Sequence, residues 1–545
     1  MRACAPSRTV NLVLALSTLF LLCGVLRAQS LSYRPELQGF RRLGYIQPKD
    51  SLQIADSYWG IQPGSMDPKV LQRAAQIGVK WTRLQASWSS IERDKGKYNW
   101  DATDQAFDLT LRSGITPFVC LVGANRLYSP VLAMQDPKMA EIFGQAPAPP
   151  TQNETAMAAW LNFVQAAVLR YKGRIHYWEI WNEPNHRAYW GADPDPKEYG
   201  RLVRETTAVI RKADPQAKVI AGALAGMDAQ FLDGFLAAAD PKRIDIVSYH
   251  QYEGEPEDRI VRMVKFRQAI DKYNPAIITW QGECGSPSAS STRDFRGSAP
   301  WGLYIQAKWL LRQAFSDTFL SGSQLSNYFL LQSVGDRDER QPRSFLTDPE
   351  KVIGYYPTRA DGAWQGARAR RTGINEKSLL NYPSGEPKPA YYAYQNLCAV
   401  LDRSFQPVHL RMHIDVLDSG IFYGIGIPDD AFPSVPIVAT FEREDKTPLL
   451  AYWLPWHGQE YLPELARVRV EVDQVTMHHP VLIDPISGEV FAIEDWKTEN
   501  GNVTFDLPLA DYPFILTEDN AISLRTSSAK HKSDATPGGI VATSR

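Results

Sequence analysis

Cysteine is scarce. Five in 545 residues are too few and too scattered for the disulfide framework of a small secreted scaffold. Cys4 and Cys23 stand near the amino terminus, while Cys120, Cys284 and Cys398 sit singly in apolar or helical patterns. None belongs to a metal-ligand spacing, so no metal and no cofactor is expected. Excess charge is missing as well: 59 basic against 61 acidic residues give a net charge of −2. That balance provides no electrostatic footprint for nucleic acid or an anionic membrane, and favours a neutral or mildly charged partner. A second long apolar run is also absent. The one present, Leu12 to Leu22, follows Arg2 and Arg8 and leads to Ala28-Gln29-Ser30. It is shorter than the roughly 20 residues of a membrane span and has the form of an export leader cut near Ala28. The expectation is therefore a secreted or periplasmic protein with no integral membrane segment after cleavage. A lipid anchor at Cys23 is disfavoured by the bulky Leu22 before it.

What is present is an ordinary globular composition, 44% hydrophobic and 11% aromatic with 15 Trp, enough for a large core. From residue 57 to 402 short apolar runs alternate with longer amphipathic ones, the pattern of repeated β-α units. Eight strands are predicted: Tyr58–Gln62, Val79–Leu84, Thr116–Val122, Ile175–Trp181, Lys218–Ala223, Ile244–His250, Ala276–Gln281 and Leu325–Gln332. The fold class that follows is α/β, a (β/α)8 TIM barrel. Its long insertion at about 335–388 is Gly-rich and charged, either a wall of the site or a solvated excursion. Pro389 to Leu401 supplies the last barrel helix. Residues 29–56 read as a lead-in to the barrel. From 403 to 520 period-two alternation, as in Arg467-Val468-Arg469-Val470-Glu471-Val472, predicts a small all-β sandwich that braces the barrel or binds glycan. A polar, period-free tail is expected to be disordered over 521–545.

The chemistry gathers at strand ends. The fourth strand runs into Asn182-Glu183-Pro184-Asn185 and the seventh into Glu283. In a (β/α)8 barrel the carboxyl ends of the strands surround the active-site mouth, so barrel closure brings together two acids 100 residues apart in sequence (283 − 183). Facing carboxyls are what acetal cleavage at a sugar requires: one protonates the leaving oxygen, and the other attacks or activates water. Glu179, within the fourth strand, reads instead as a buried ion-pair partner.

These motifs resemble the clan A glycoside hydrolases, most closely the family 39 type and its bacterial relatives, through Trp178-Glu179-Ile180-Trp181-Asn182-Glu183-Pro184-Asn185 and the sandwich after the barrel. The resemblance implies Glu183 as acid/base, Glu283 as nucleophile and Asn182 as a ligand of the sugar 2-hydroxyl. It implies Arg83 as the arginine that keeps the nucleophile anionic, with His250 and Tyr252 as the His-x-Tyr element of strand six. The His that family 5 carries after strand three and the Trp the clan carries on strand eight are both absent. Trp88, Trp181, Trp280 and Asn125 are added as candidate sugar contacts. The expected function is retaining hydrolysis of O-glycosidic bonds in an oligo- or polysaccharide. A transglycosylase with the same residues and a non-catalytic carbohydrate-binding barrel remain open. The cluster Arg368, Arg370 and Arg371 permits a uronate substrate.

Overall fold

The computed structural model describes residues 32–132, 147–252, 254–289, 301–333, 375–422 and 435–526. The leader, most of the insertion with Arg368, Arg370 and Arg371, and the tail from 527 lie outside the described residues.

Arg41–Ile46 (β1) precedes a closed, all-parallel barrel of Trp59–Gln62 (β2), Trp81–Ser87 (β3), Thr116–Val122 (β4), Tyr177–Ile180 (β5), Lys218–Ala225 (β6), Ile246–His250 (β7), Ile278–Cys284 (β8) and Ser326–Phe329 (β9). β9 pairs back onto β2 and closes the ring. Each strand is followed by a long helix: Pro68–Ile77 (α1), Asp101–Arg112 (α2), Glu154–Tyr171 (α3), Pro196–Ala213 (α4), Ala229–Ala238 (α5), Arg259–Asp271 (α6), Leu303–Phe315 (α7) and Pro389–Val400 (α8). The eight expected strands are all present, with ends shifted by a few residues.

Local sequence starts and stops these helices. Asp67 accepts from the Lys69 amide ahead of Pro68, and the left-handed Gly78 ends α1; Asp195 and Pro196 open α4 in the same way. Such caps satisfy amides that the helix itself leaves without partners. The apolar face of α3, with Trp160, Phe163, Val164 and Val168, is buried against the strands. Inside the barrel Trp81, Phe118, Ile220, Ile246, Trp280 and Leu325 fill the layer below the mouth.

The chain then forms two antiparallel sheets. Its strands are Phe405–Pro407 (β10), Met412–Asp418 (β11), Ile437–Arg443 (β12), Pro448–Trp453 (β13), Ala466–Val472 (β14), Pro480–Asp484 (β15), Glu489–Ala492 (β16), Trp496–Glu499 (β17), Asn502–Leu509 (β18), Phe514–Glu518 (β19) and Leu524–Arg525 (β20). The larger sheet has the order β10-β12-β13-β19-β15-β16-β1-β20, and the smaller β11-β14-β18-β17. Two placements differ from the sequence reading. The lead-in supplies β1, which pairs with β16. Leu524 and Arg525, expected in the disordered tail, pair with Ile46 and Tyr45. Both segments are short and polar in part, and they become strands because the sheet edge offers them backbone partners. One apolar cluster joins the modules, with Trp59, Phe315 and Leu397 packed into the same core as Phe441, Trp453 and Leu516.

Candidate active site

The β5 end is shaped by backbone strain. Trp181 and Glu183 both adopt left-handed φ, at 71° and 45°, a conformation that costs a non-glycine residue roughly 1–3 kcal/mol. Neighbouring strands hold them there, since the Trp181 amide donates to the Leu121 carbonyl at 2.9 Å and the Glu183 amide to Ala223 at 2.9 Å. Asn185 grips the end of β6, accepting from the Ala225 amide and donating to its carbonyl. Glu183 is thus directed into the mouth, where its side chain keeps 14% exposure.

Glu283, on β8, is 13% exposed and surrounded by donors. Arg83 reaches its Oε1 at 2.7 Å and Gln62 the same oxygen at 2.9 Å, while the Tyr252 hydroxyl donates to Oε2 at 2.8 Å. Burial alone would raise its pKa. Attraction to His250 and Arg83, with the hydrogen bonds from Gln62 and Tyr252, overcomes that and holds the carboxyl down at about 2. Glu283 is an anion at any physiological pH.

Arg83 is the hub. Its Nε meets Glu179 Oε2 at 2.5 Å, Nη1 takes Glu283, and Nη2 donates to Asn182 Oδ1 at 2.9 Å. Glu179 is fully buried and also accepts from Ser248 Oγ at 2.6 Å. The planar guanidinium therefore fixes β3, β5 and β8 relative to one another through charge-assisted bonds. His250 Nδ1 lies 3.0 Å from Glu183 Oε1 and 3.8 Å from Glu283 Oε2. Glu183, His250 and Glu283 present one ligand-type atom each within 4.8 Å of one another. A cation bound there would compete with the donors already on Glu283.

Arg83, Asn182, Tyr252 and Glu283 form one hydrogen-bonded cluster, and the hydrogen-bonded pair of Glu183 and His250 lies beside it, 3.8 Å from Glu283. The four other candidates lie apart from it. The Trp88 ring is fully buried among Tyr128, Trp160 and Phe163, with its Nε1 donating to Glu92. Trp181 is turned by its left-handed backbone out of the barrel, against Trp160 and Trp190. Trp280 belongs to the interior layer, roughly 10 Å below Glu283 at the rise of an extended strand. Asn125 spends its amide on the Glu92 carbonyl and the Leu127 amide. Sequence reasoning missed Gln62, Phe329 and Lys377. Half-buried Phe329 stands edge-on to Tyr252, 6.5 Å between centroids, at the end of the strand that lacks the Trp. Lys377 places its ammonium 4.6 Å from the centre of the Tyr252 ring.

Residues 79–274 match the model for glycosyl hydrolases family 39. This part of the barrel is similar to the family 39 enzymes. A beta-xylosidase of Geobacillus stearothermophilus is 27% identical over 164 residues, which cover 28% of this chain and 31% of that enzyme. The match thus spans about a third of the curated relative's length. Similar folds occur in a family 39 glycoside hydrolase from the gut symbiont Bacteroides cellulosilyticus WH2 (TM-score 0.57, 18% identity, 85% of this chain and 80% of that one). A monomeric beta-xylosidase from Caulobacter crescentus CB15 is also similar (TM-score 0.52, 17% identity, 88% and 97%). The family 39 match contains Arg83, Asn182, Glu183, His250 and Tyr252 but stops before Glu283.

Proposed function

We propose that this protein is a retaining glycoside hydrolase that cleaves O-glycosidic bonds of an oligo- or polysaccharide by double displacement. The observation that carries the proposal is the approach of Glu183 and Glu283: carboxylate oxygens of the two lie within 4.8 Å. Separations of roughly 5–5.5 Å suit direct attack, whereas an inverting enzyme leaves about 6.5–9.5 Å for a water. Glu283, anionic and held by Arg83, Gln62 and Tyr252, attacks the anomeric carbon. Glu183, beside His250, gives its proton to the leaving oxygen. Glu183 then takes a proton from the water that releases the glycosyl group from Glu283. The Asn182 amide nitrogen, whose partner oxygen is fixed by Arg83, is available to a sugar hydroxyl. Because a curated relative is a beta-xylosidase, aryl xylosides are the first substrates to try.

The test is hydrolysis of activated aryl glycosides by wild type, Glu183→Ala and Glu283→Ala. Glu283→Ala is expected to abolish turnover. Glu183→Ala should lose roughly 10²–10⁴-fold on poor leaving groups and regain rate with azide, giving a glycosyl azide of retained configuration. Turnover by Glu283→Ala at the wild-type rate would rule the mechanism out. The reading also places the protein outside the cytoplasm, in support of which stands the leader pattern ending near Ala28. Intact mass of the exported protein should correspond to a chain starting within a few residues of Gln29, and an uncut amino terminus would count against it.

A further inference from the structure

Strand β8 carries one residue more than its neighbours. Up to Gln281 its residues stand one for one against β7, with Trp280 opposite Ser248 and Gln281 opposite Tyr249, but Glu283 and not Gly282 then stands opposite His250. The register against β9 slips over the same stretch, where Gln281 to Cys284 spans only Ser326 to Tyr328. This is a β-bulge at Gly282. It decides where Glu283 points. Side chains alternate along a strand, and Trp280 belongs to the interior layer. A regular β8 would therefore aim Gly282 inward and Glu283 at the surrounding helices. The extra residue returns Glu283 to the inner face, beside His250. Glycine is required there by close approach, since a Cβ on Gly282 would stand 3.2 Å from His250 Nε2 and 3.3 Å from its Cδ2.

A bulge interrupts the ladder and leaves backbone groups unpaired. The fully buried Gln281 side chain meets them. Its Oε1 accepts from the Gln251 amide at 3.1 Å, and its Nε2 donates to the Gln251 carbonyl at 3.3 Å. These replace the bonds that a continuing strand would have made. Pairing with the donor and the acceptor of one residue also fixes which way round the side-chain amide sits. On its other side the Gln281 backbone donates to the Leu325 carbonyl ahead of β9 at 2.9 Å. Gln251 stands between His250, which bonds Glu183, and Tyr252, which bonds Glu283. What grips Gln251 therefore sets how β7 presents both residues to the two carboxylates.

We propose that Gln281 is a positioning residue for the nucleophile: through the backbone of Gln251 it holds Tyr252 where its hydroxyl reaches the Glu283 carboxylate that the bulge turns into the mouth. The kinetic part of its test rests on the glycosidase reading above.

The experiment compares wild type, Gln281→Leu, Gln281→Asn and Tyr252→Phe, and each Gln281 variant combined with Tyr252→Phe, on the aryl glycoside that wild type hydrolyses best. Gln281→Asn keeps a polar amide one methylene short of Gln251, and it carries the test if Gln281→Leu does not fold. In each single variant the acid limb of the kcat/KM profile is expected to rise by roughly 1–2 pH units, the contribution of one hydrogen bond to a charged group. Both substitutions remove the same bond, so the combined variants should rise no further than Tyr252→Phe alone. An acid limb that stays at the wild-type pH in the Gln281 variants, or shifts that add in the combined ones, overturns the proposal. If no aryl glycoside is hydrolysed by wild type, the glycosidase reading fails by itself, and crystal structures of wild type and Gln281→Asn decide this inference. A Tyr252 hydroxyl moved out of hydrogen-bond reach of Glu283 supports it, and a bond kept at its present 2.8 Å overturns it.

Discussion

At the residue scale the site is a problem of keeping one carboxyl charged while it is largely out of water. Attraction to His250, 3.8 Å away, does so at Glu283 together with three donors: a guanidinium at 2.7 Å, a phenol at 2.8 Å and an amide at 2.9 Å. Arg83 is the strongest of these donors and the least useful to mutate, because removing it also strands fully buried Glu179. Breaking one side of such a pair costs about 3–5 kcal/mol and would confuse folding with catalysis. Tyr252→Phe is cleaner, since it deletes one hydroxyl and keeps the ring against Phe329. Glu283 has a depressed pKa, so its ionised form is present above the ordinary carboxylate range and is lost only as pH falls toward about 2. Taking away the Tyr252 bond must move that loss upward. A hydrogen bond to a charged group contributes about 1.5–3 kcal/mol, equivalent to roughly 1–2 pH units. The acid limb of the kcat/KM profile is therefore expected to rise by about that much in Tyr252→Phe, with a smaller fall in rate near neutrality. A superimposable acid limb would show that the phenol does not tune the nucleophile.

At the scale of elements, legibility follows the regularity of the pattern. The barrel strands are apolar runs spaced by amphipathic helices, so all eight were readable, and with them the rim positions of Glu183 and Glu283. Glu183 also carries a long motif, whereas Glu283 depended on counting strands to β8. The aromatic candidates lie apart from the cluster for a reason of geometry. Trp280 lies on the inward face, but too far from the strand end to reach the mouth. At Trp181 the left-handed backbone breaks the alternation of the strand and sends the ring outward. Strand periodicity assumes extended φ throughout, and the β5 end departs from it at Trp181 and Glu183. Gln62 was within reach of the strand-end rule, because it is the last residue of β2, but an isolated Gln carries no motif. Phe329 was hidden behind the expectation of a Trp on β9. Lys377 had no sequence signal. It follows a long insertion, and only the bonds of its backbone to Gln306 and Tyr328 show that the chain returns to the mouth.

At the scale of the whole molecule, α7 ties the barrel to the β module with buried charge. Arg312 donates from Nε and Nη2 to Glu257 at 2.7 Å each, from Nη2 to Glu255 at 3.2 Å, and from Nη1 to the Trp456 carbonyl at 2.7 Å. Trp453, on β13, adds its indole to Glu257 at 2.7 Å. One helical turn earlier, Lys308 pairs with Asp511 at 2.9 Å and donates to the Gln459 carbonyl. Glu460 reaches back from the β module to accept from the amides of Tyr304 and Ile305 at the start of α7. Burial would raise the pKa of Glu257, and Arg312 with Trp453 brings it below its ordinary value. Since Phe315 also packs against Phe441 and Trp453, the two modules are expected to unfold as one. Arg312→Met leaves Glu257 buried with a charge and too few partners, a loss of about 3–5 kcal/mol. Urea denaturation followed by both tryptophan fluorescence and far-UV circular dichroism should show a single transition at lower urea, with unchanged slope. Adding Glu257→Gln should recover part of the loss, because the stranded charge is then gone. Two separated transitions, with only one displaced by Arg312→Met, would mean that barrel and β module fold independently and that the buried charges of α7 do not couple them.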